Sequence, residues 1–251
     1  MNEEQKEFIN RLQQTSPVLV LDTVEQSHPH KWNAGEHCRS VVAYLISAKA
    51  AFIIIVAAVL HDIGKALTRA VTPEGKVTFF KHAEVGAPLA EKVLLEIAEC
   101  LLGPADIMKV VTLVRLHMWP RLNDPQVIGD KAIRRLLKEL DAIGLTYSDL
   151  NELALADTVS MTDDPVWLGQ EVERMSALML RVANLMTADR KAAEAAANAT
   201  PSFITGGDIA ARYPGLQGRA IRDTVELANH LHSENPDLSK DEVLLRIAPA
   251  A

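Results

Sequence analysis

Histidine and aspartate recur along this chain in the order His, His-Asp, His, His, Asp. The residues are His37, His61, Asp62, His82, His117 and Asp157. Imidazole nitrogen and carboxylate oxygen are both metal ligands, and a mixed set favours Mn, Fe, Co, Ni or Zn over Ca. A protein metal site needs three or four such ligands, so residues far apart in the sequence must come together. The pattern therefore indicates a divalent-metal centre.

Each residue taken singly has another explanation. A lone histidine at a helix end commonly caps the helix or satisfies a local hydrogen bond. Asp157 lies on the apolar stripe of ELALADTVS, where a buried carboxylate must be paired or bound to metal. Alone, it fits a helix cap or an arginine pair equally well. The order of the whole set favours the metal interpretation.

The elements that must position these residues are helices. Apolar residues recur every three or four positions through most of the chain, and turn residues such as Gly103-Pro104, Gly144 and Asp163-Asp164-Pro165 separate the runs. We therefore predict an all-α fold, a compact helical bundle without a sheet of consequence. Asp164 is predicted to cap the helix that begins at Pro165.

Residues 41–60 form an apolar run long enough to cross a membrane. Lys49 lies near its centre, however, and a charge in mid-membrane is costly. Two buried helices that meet near Lys49 are the better interpretation. The polar, acidic first residues are unlike a signal peptide, so we expect a cytoplasmic protein with no membrane partner.

The composition of the chain argues against several classes of function. The chain has 251 residues and a formal net charge of −7, so no global basic character is available to hold a polyanion. Its two cysteines, Cys38 and Cys100, are far apart and form no CxxC pair. Neither a disulfide framework nor a thiolate zinc site is indicated.

The order of the motifs, with His61-Asp62-Ile63-Gly64-Lys65 at its centre, resembles the HD superfamily of metal-dependent phosphohydrolases. Within that superfamily, the chain is similar to the HD domain of bacterial CCA-adding tRNA nucleotidyltransferases. The similarity rests on His37 before an apolar helix, the HDIGK segment, residues 79–87 (FFKHAEVGA), residues 113–117 (LVRLH) and residues 153–157 (LALAD).

The resemblance implies roles for these residues. His37, His61, Asp62 and Asp157 would bind a first ion, while His82 and His117 would bind a second ion or contact the phosphate. Asp62 would bridge, and Lys65 would neutralise phosphate, although a solvated lysine at a helix end is the alternative. The cofactor expected is one or two divalent ions from among Mn, Ni, Co, Fe, Zn and Mg, with Asp62, Lys65, His82 and His117 as the catalytic residues.

The chain is expected to divide into four parts. These are an N-terminal helical extension (1–30), the HD phosphohydrolase domain (31–190), a linker or helical tail (191–201) and a small helical C-terminal region (202–251). The last part is predicted to contain two helices, the first capped by Asp208, and it resembles the region that follows the HD domain in the tRNA enzymes.

The 36 residues before His37 contain no nucleotide-polymerase motif, so we expect the hydrolase chemistry alone. The expected substrate is a phosphorylated small molecule or nucleotide, or a terminal or 2′,3′-cyclic phosphate at an RNA end. The alternatives are a dNTP or (p)ppGpp hydrolase and a non-catalytic RNA- or partner-binding remnant. The sequence leaves the oligomeric state, including a homo-oligomer, open.

Some residues are left undecided or set aside. Arg39, Arg115 and Lys81 are either pocket or surface residues. His28 and His30, in a loop before the first motif, and His230 and His232, near the C-terminus, are interpreted as unrelated to the metal.

Overall fold

The computed structural model describes residues 1–27, 29–97, 101–198 and 202–247, and most of them are helical. This confirms the all-α prediction. The elements are α1 (Glu3–Gln13), α2 (Ser16–Leu19), a 3₁₀ turn (Val20–Thr23), α3 (Ala34–Ser47), α4 (Phe52–Leu60), α5 (Lys65–Thr68), β1 (Arg69–Val71), β2 (Val77–Phe79), α6 (His82–Ile97), α7 (Pro104–Leu116), α8 (Trp119–Leu122), α9 (Asp130–Asp141), α10 (Tyr147–Met161), α11 (Pro165–Asn198), α12 (Gly206–Arg212), α13 (Arg219–Glu234) and α14 (Lys240–Arg246).

The sheet formed by the described residues is one short antiparallel hairpin. Its two strands pair Arg69 with Phe79 and Val71 with Val77. No larger sheet was expected. The second strand of this hairpin, β2, is followed almost at once by α6.

The core is arranged around α4. This helix is apolar on every side, and its residues from Ile54 to Leu60 are all buried. A helix without a polar face must be surrounded, and α4 packs against α1, α3, α7 and α10. Each fully buried Ile or Leu side chain contributes about 1.5–3 kcal/mol relative to an exposed one. Because the C-terminal end of α4 lies inside the protein, the residues that follow it are buried as well.

The apolar run 41–60 is divided as predicted. Helix α3 ends at Ser47, Lys49 is exposed with a φ of 58°, and α4 begins at Phe52. The positive φ at Lys49 turns the chain back and ends the first helix. Along the described ranges, none of the helices is both long and apolar enough to cross a membrane.

The chain forms two compact units, Met1–Thr187 and Ala188–Ala251, and the boundary falls within α11. Helix α11 begins as predicted: the Asp164 side chain accepts hydrogen bonds from the backbone N–H groups of Val166 and Trp167. Residues 191–198 continue this helix, whereas residues 199–201 of the expected linker or tail lie outside the described residues, as does Cys100.

The second unit has its own small core, with Ile204, Ile209 and Val243 fully buried. The prediction that Asp208 caps its first helix is wrong. Thr205 is the N-cap, and Asp208 is the third helical residue, whose side chain accepts a hydrogen bond from the Thr205 backbone N–H. Two helices were predicted for the C-terminal region, and the structure has a third, α14, in addition to α12 and α13.

The signal for α14 was present in the sequence. Ser239 and Glu242 form a reciprocal capping box at its start, the pattern S-x-x-E.

Candidate metal centre

All six predicted ligands lie together inside the first unit. They come from five helices or helix ends, and every one of them is buried, at 8% exposure or less: His37, His61, Asp62, His82, His117 and Asp157. Asp157 lies within α10, and His37 in the first turns of α3. The other four lie at helix termini, where a side chain reaches inward without interrupting the packing of a helix face.

The first group of ligand atoms joins α3, the end of α4 and α10. The His37 Nε2 lies 2.8 Å from the Asp157 Oδ1, and the His61 Nε2 lies 3.8 Å from the same oxygen. One ligand atom from each of these three residues lies within 4.8 Å of the others, a spacing that suits a shared cation.

The second group joins the end of α4 to the start of α6 and the end of α7. The His82 Nε2 lies 3.3 Å from the Asp62 Oδ1, and the His117 Nε2 lies 4.0 Å from the same oxygen. These three residues also offer ligand atoms within 4.8 Å of one another.

The Asp62 carboxylate lies between the two groups. Its Oδ1 faces His82 and His117, whereas its Oδ2 lies 3.4 Å from the His61 Nε2 and 3.9 Å from the His37 Nε2. One carboxylate therefore offers one oxygen to each set of imidazoles, as a bridging ligand does.

Three of the histidines are held by the same local hydrogen bond. The Nδ1–H groups of His61, His82 and His117 donate to the backbone carbonyl three residues earlier, at Ala58, Phe79 and Val114, over 2.7–2.9 Å. This bond fixes the tautomer, because a neutral imidazole that donates from Nδ1 carries only a lone pair at Nε2. A backbone acceptor behind the ring is a common arrangement for metal-ligating histidine.

The remaining atoms fit a cation. The His61 Nε2 is buried without a hydrogen-bond partner in the structure, and the Asp62 Oδ2 beside it is neutralised only by an ion pair with the Lys65 ammonium. Burial alone would lower the pKa of the His61 imidazole, but the Asp62 carboxylate raises it well above its usual value, so the site favours positive charge at this nitrogen. A divalent ion bound there would replace the proton, so the residues present fit a metal.

Lys65 is not a solvated helix-end lysine, because it is 5% exposed. Its ammonium group lies 2.6 Å from the Asp62 Oδ2 and donates to the Gln26 Oε1 over 2.5 Å. Burial opposes ionisation of Asp62, but Lys65 and the His61 imidazole hold the pKa of this carboxyl well below its usual range. The carboxylate is therefore ionised and ready to accept a metal.

The comparisons with known proteins agree with this geometry. The HD domain family model matches residues 34–155, which include five of the six ligand positions. The chain therefore contains an HD domain. Asp157 lies two residues beyond the matched range, but its hydrogen bond to His37 places it in the same centre. HD domains form a superfamily of metal-dependent hydrolases, so the structure and the family agree on the class of chemistry.

Among curated proteins, the chain is similar to the CC-adding tRNA nucleotidyltransferase of Thermus thermophilus. It is 36% identical over 148 residues, which make up 57% of this chain and 31% of that protein. The chain thus spans about a third of the length of this relative.

The HD domain also contains a site residue that the sequence analysis missed. Arg121, in α8, has its Nη1 3.7 Å from the Asp157 Oδ2, and its Nε is buried without a partner. Its guanidinium lies 6.0 Å from the centre of the Trp167 ring. The sequence left an arginine pair as one alternative to metal binding for Asp157. In the structure, Asp157 has both the arginine and the two candidate metal ligands His37 and His61 as neighbours. Nothing in the segment WPRL marks the arginine in advance.

His30, which the sequence analysis set aside, lies beside the centre. Its ring meets that of His37 edge to face, with 5.0 Å between centroids, and its Nδ1 is buried without a partner. Burial, together with the positive charge of Lys65, lowers the pKa of His30 to about 3, so the ring is neutral. Its proximity to the ligands means that it borders the metal centre; His28 lies outside the described residues.

Arg39, Lys81 and Arg115, which the sequence left as either pocket or surface residues, have different surroundings in the structure. Arg39 pairs with Asp22 over 2.8 Å and is half exposed. Lys81 and Arg115 instead line a cavity of about 450 Å³ that also includes His82. In the second unit, His230 lies near Glu234 and His232 stacks on Phe203, and neither belongs to a described group of candidate ligands.

Proposed function

We propose that this chain is a divalent-metal-dependent phosphohydrolase, a phosphomonoesterase or phosphodiesterase. Its substrate is a nucleotide or a terminal or 2′,3′-cyclic phosphate of RNA. One observation carries the proposal: the Asp62 carboxylate lies between two groups of buried ligands, with one oxygen directed to each. Two ions held in this way are the arrangement used to cleave phosphate esters.

In this proposal His37, His61, Asp62 and Asp157 hold the first ion. His82 and His117, with the other oxygen of Asp62, hold a second ion or contact the phosphate. When bound, divalent ions at such a site polarise phosphoryl oxygens and lower the pKa of water. The rings of His61, His82 and His117 present their Nε2 atoms to the centre because backbone carbonyls accept their Nδ1–H groups, and burial lowers the pKa of His117 to about 3.

The side chains around the ligands supply positive charge. Lys65 lies against Asp62 as a point charge, and Arg121 lies near Asp157. A phosphate ester carries negative charge that grows on its leaving oxygen during hydrolysis. Preorganised cations in a buried site stabilise such charge more strongly than water does. Lys65 and Arg121 therefore bind the phosphate and stabilise the transition state in this proposal.

The RNA-related substrate class is supported by the similarity to a CC-adding tRNA nucleotidyltransferase. The C-terminal region has no excess of positive charge, so recognition through a broad basic surface is not part of the proposal. The substrate is instead held at its phosphate by the metal centre. A cytoplasmic location belongs to the same proposal.

A screen of phosphate esters tests it. The chain is loaded in turn with Mn²⁺, Ni²⁺, Co²⁺ and Mg²⁺ and assayed on 2′,3′-cyclic AMP, 3′-AMP, 5′-AMP, dNTPs and ppGpp, with Asp62→Asn as the inactive control. Hydrolysis of the cyclic phosphate or the monophosphates is expected. Turnover of dNTPs or ppGpp alone would favour the alternative hydrolase. RNA binding without any turnover would identify a non-catalytic module.

A further inference from the structure

We infer that the cavity beside His82 binds the base of a nucleotide whose phosphate lies at the metal centre. This inference rests on the proposed phosphohydrolase function and adds a binding site for the organic part of the substrate. The cavity has a volume of about 450 Å³, within the range of roughly 300–1,000 Å³ typical of small-molecule sites. The residues that carry the argument are Phe79, Phe80, Lys81, His82, Trp119 and Leu122.

The cavity and the metal centre have His82 in common. His82 lines the cavity, and its Nε2 is at the same time 3.3 Å from the Asp62 Oδ1 and 3.1 Å from the His117 Nε2. A ligand in the cavity that touches this ring is therefore within a few ångströms of the candidate ligands. The ligand that fits this arrangement has two parts, one that binds at the metal centre and one that occupies the cavity.

The walls are suited to a flat ring. Trp119 is held by an edge-to-face contact with Tyr147, with centroids 6.0 Å apart, and is partly buried against the core. Phe80 is 80% exposed and Leu122 is 74% exposed, so two large apolar side chains lie uncovered at the same opening. A nucleobase stacks on aromatic side chains whatever its sequence identity, because every base has a π face.

One cation at the cavity is placed to meet the anionic part of a nucleotide. The lining contains Lys81, Arg115 and the acidic Glu84, and Arg115 is ion-paired with Glu139, so the argument rests on Lys81, which immediately precedes His82. Lys81 has a φ of 58°, an uncommon conformation for a residue with a side chain, and its ammonium lies 5.5 Å from the centre of the Phe80 ring. Lys81 thus lies next to both the aromatic side chain of Phe80 and the metal-centre residue His82. This position suits a ligand in which an aromatic base is joined to a phosphate.

The test compares two esters that share the same phosphate linkage, adenosine 5′-monophosphate and ribose 5-phosphate, which lacks the base. Full-length Mn²⁺-loaded protein is used as wild type, Phe80→Ala and Val127→Ala. Phe80 and Val127 are similarly exposed, at 80% and 79%, but only Phe80 lines the cavity. Binding of both esters is measured by calorimetry, and KM and kcat are measured where they are hydrolysed.

Phe80→Ala is expected to weaken AMP binding about tenfold, as loss of one stacking partner does, and to leave ribose 5-phosphate unchanged. Val127→Ala should behave as wild type. Equal affinity of wild type and Phe80→Ala for AMP would overturn the inference, as would a concentration-dependent dimer abolished by Phe80→Ala without any effect on AMP. If AMP binds in a Phe80-dependent way but no ester is hydrolysed, the cavity assignment stands and the phosphohydrolase proposal fails.

Discussion

The Nε2 atoms of His82 and His117 face each other at 3.1 Å, although both rings already donate their Nδ1–H groups to backbone carbonyls. Neutral imidazoles in this tautomer have two lone pairs opposed at hydrogen-bond distance, with no hydrogen between them. A cation that both nitrogens contact removes this repulsion. The pair is therefore a strong local indication of a metal in the second group of ligands.

We expect this pair to be required for turnover. His82→Gln and His117→Gln should retain the first ion and the fold, while hydrolysis falls by about 10²-fold or more, as on removal of one preorganised charge-stabilising group. Metal content, melting temperature and rate are measured on the same samples. If the two histidines only cap helices, the variants will instead lose about 0.5–1 kcal/mol of stability with near-normal rates.

The first ion should depend on the His61-Asp62 pair. His61→Ala and Asp62→Ala each remove a ligand from a site of about four, and such a loss usually empties or severely weakens the site. Elemental analysis of the purified proteins measures this directly. His230→Ala is the matched control, because this histidine is two-thirds exposed and lies in the second unit. Equal metal in the wild type and both site variants would show that the assignment is wrong.

Metal should stabilise the folded protein. An ion that binds only the native state at 100 times its Kd contributes about 2.7 kcal/mol. Its removal by a chelator should then lower the melting temperature by several degrees in a chain of this length. Asp62→Ala should show no such difference between chelated and Mn²⁺-loaded samples, and a full shift in that variant would place the ion elsewhere.

Gly64 in the HDIGK segment should not tolerate a side chain. A Cβ at this position would overlap the backbone carbonyl oxygen of His82 and lie 2.7 Å from the Gly86 nitrogen. Gly64→Ala must therefore push the start of α6 away from the end of α4, at a cost of about 1–3 kcal/mol. Urea unfolding measures the change, and metal content shows whether His82 moves with it.

Gly103→Ala is the control for this substitution, because nothing lies within 4 Å of the corresponding Cβ and the φ of Gly103 is negative. Similar stability of the two variants would mean that α6 adjusts without cost and that the glycine has another role.

Much of this site could be predicted from the sequence because the relevant signals are local. The 3.6-residue period indicates helices, and the types of the six ligands indicate a metal. The helix ends at His61, His82 and His117 follow from the same periodicity. The carbonyl three residues earlier that fixes each ring belongs to the same helix end or turn, so even the tautomers are determined within a few residues of each histidine.

The tertiary structure alone decided which other groups reach the centre. Arg121 and His30 approach Asp157 and His37 only because α8 and the loop before α3 pack beside α10, and their own segments contain no motif. Lys65, which the sequence left as either functional or solvated, is buried because α5 follows the fully surrounded α4. These distances depend on the packing of several helices at once, which no local pattern encodes. Residue types and helical period are written in the sequence, whereas proximity between distant residues exists only after the core has formed.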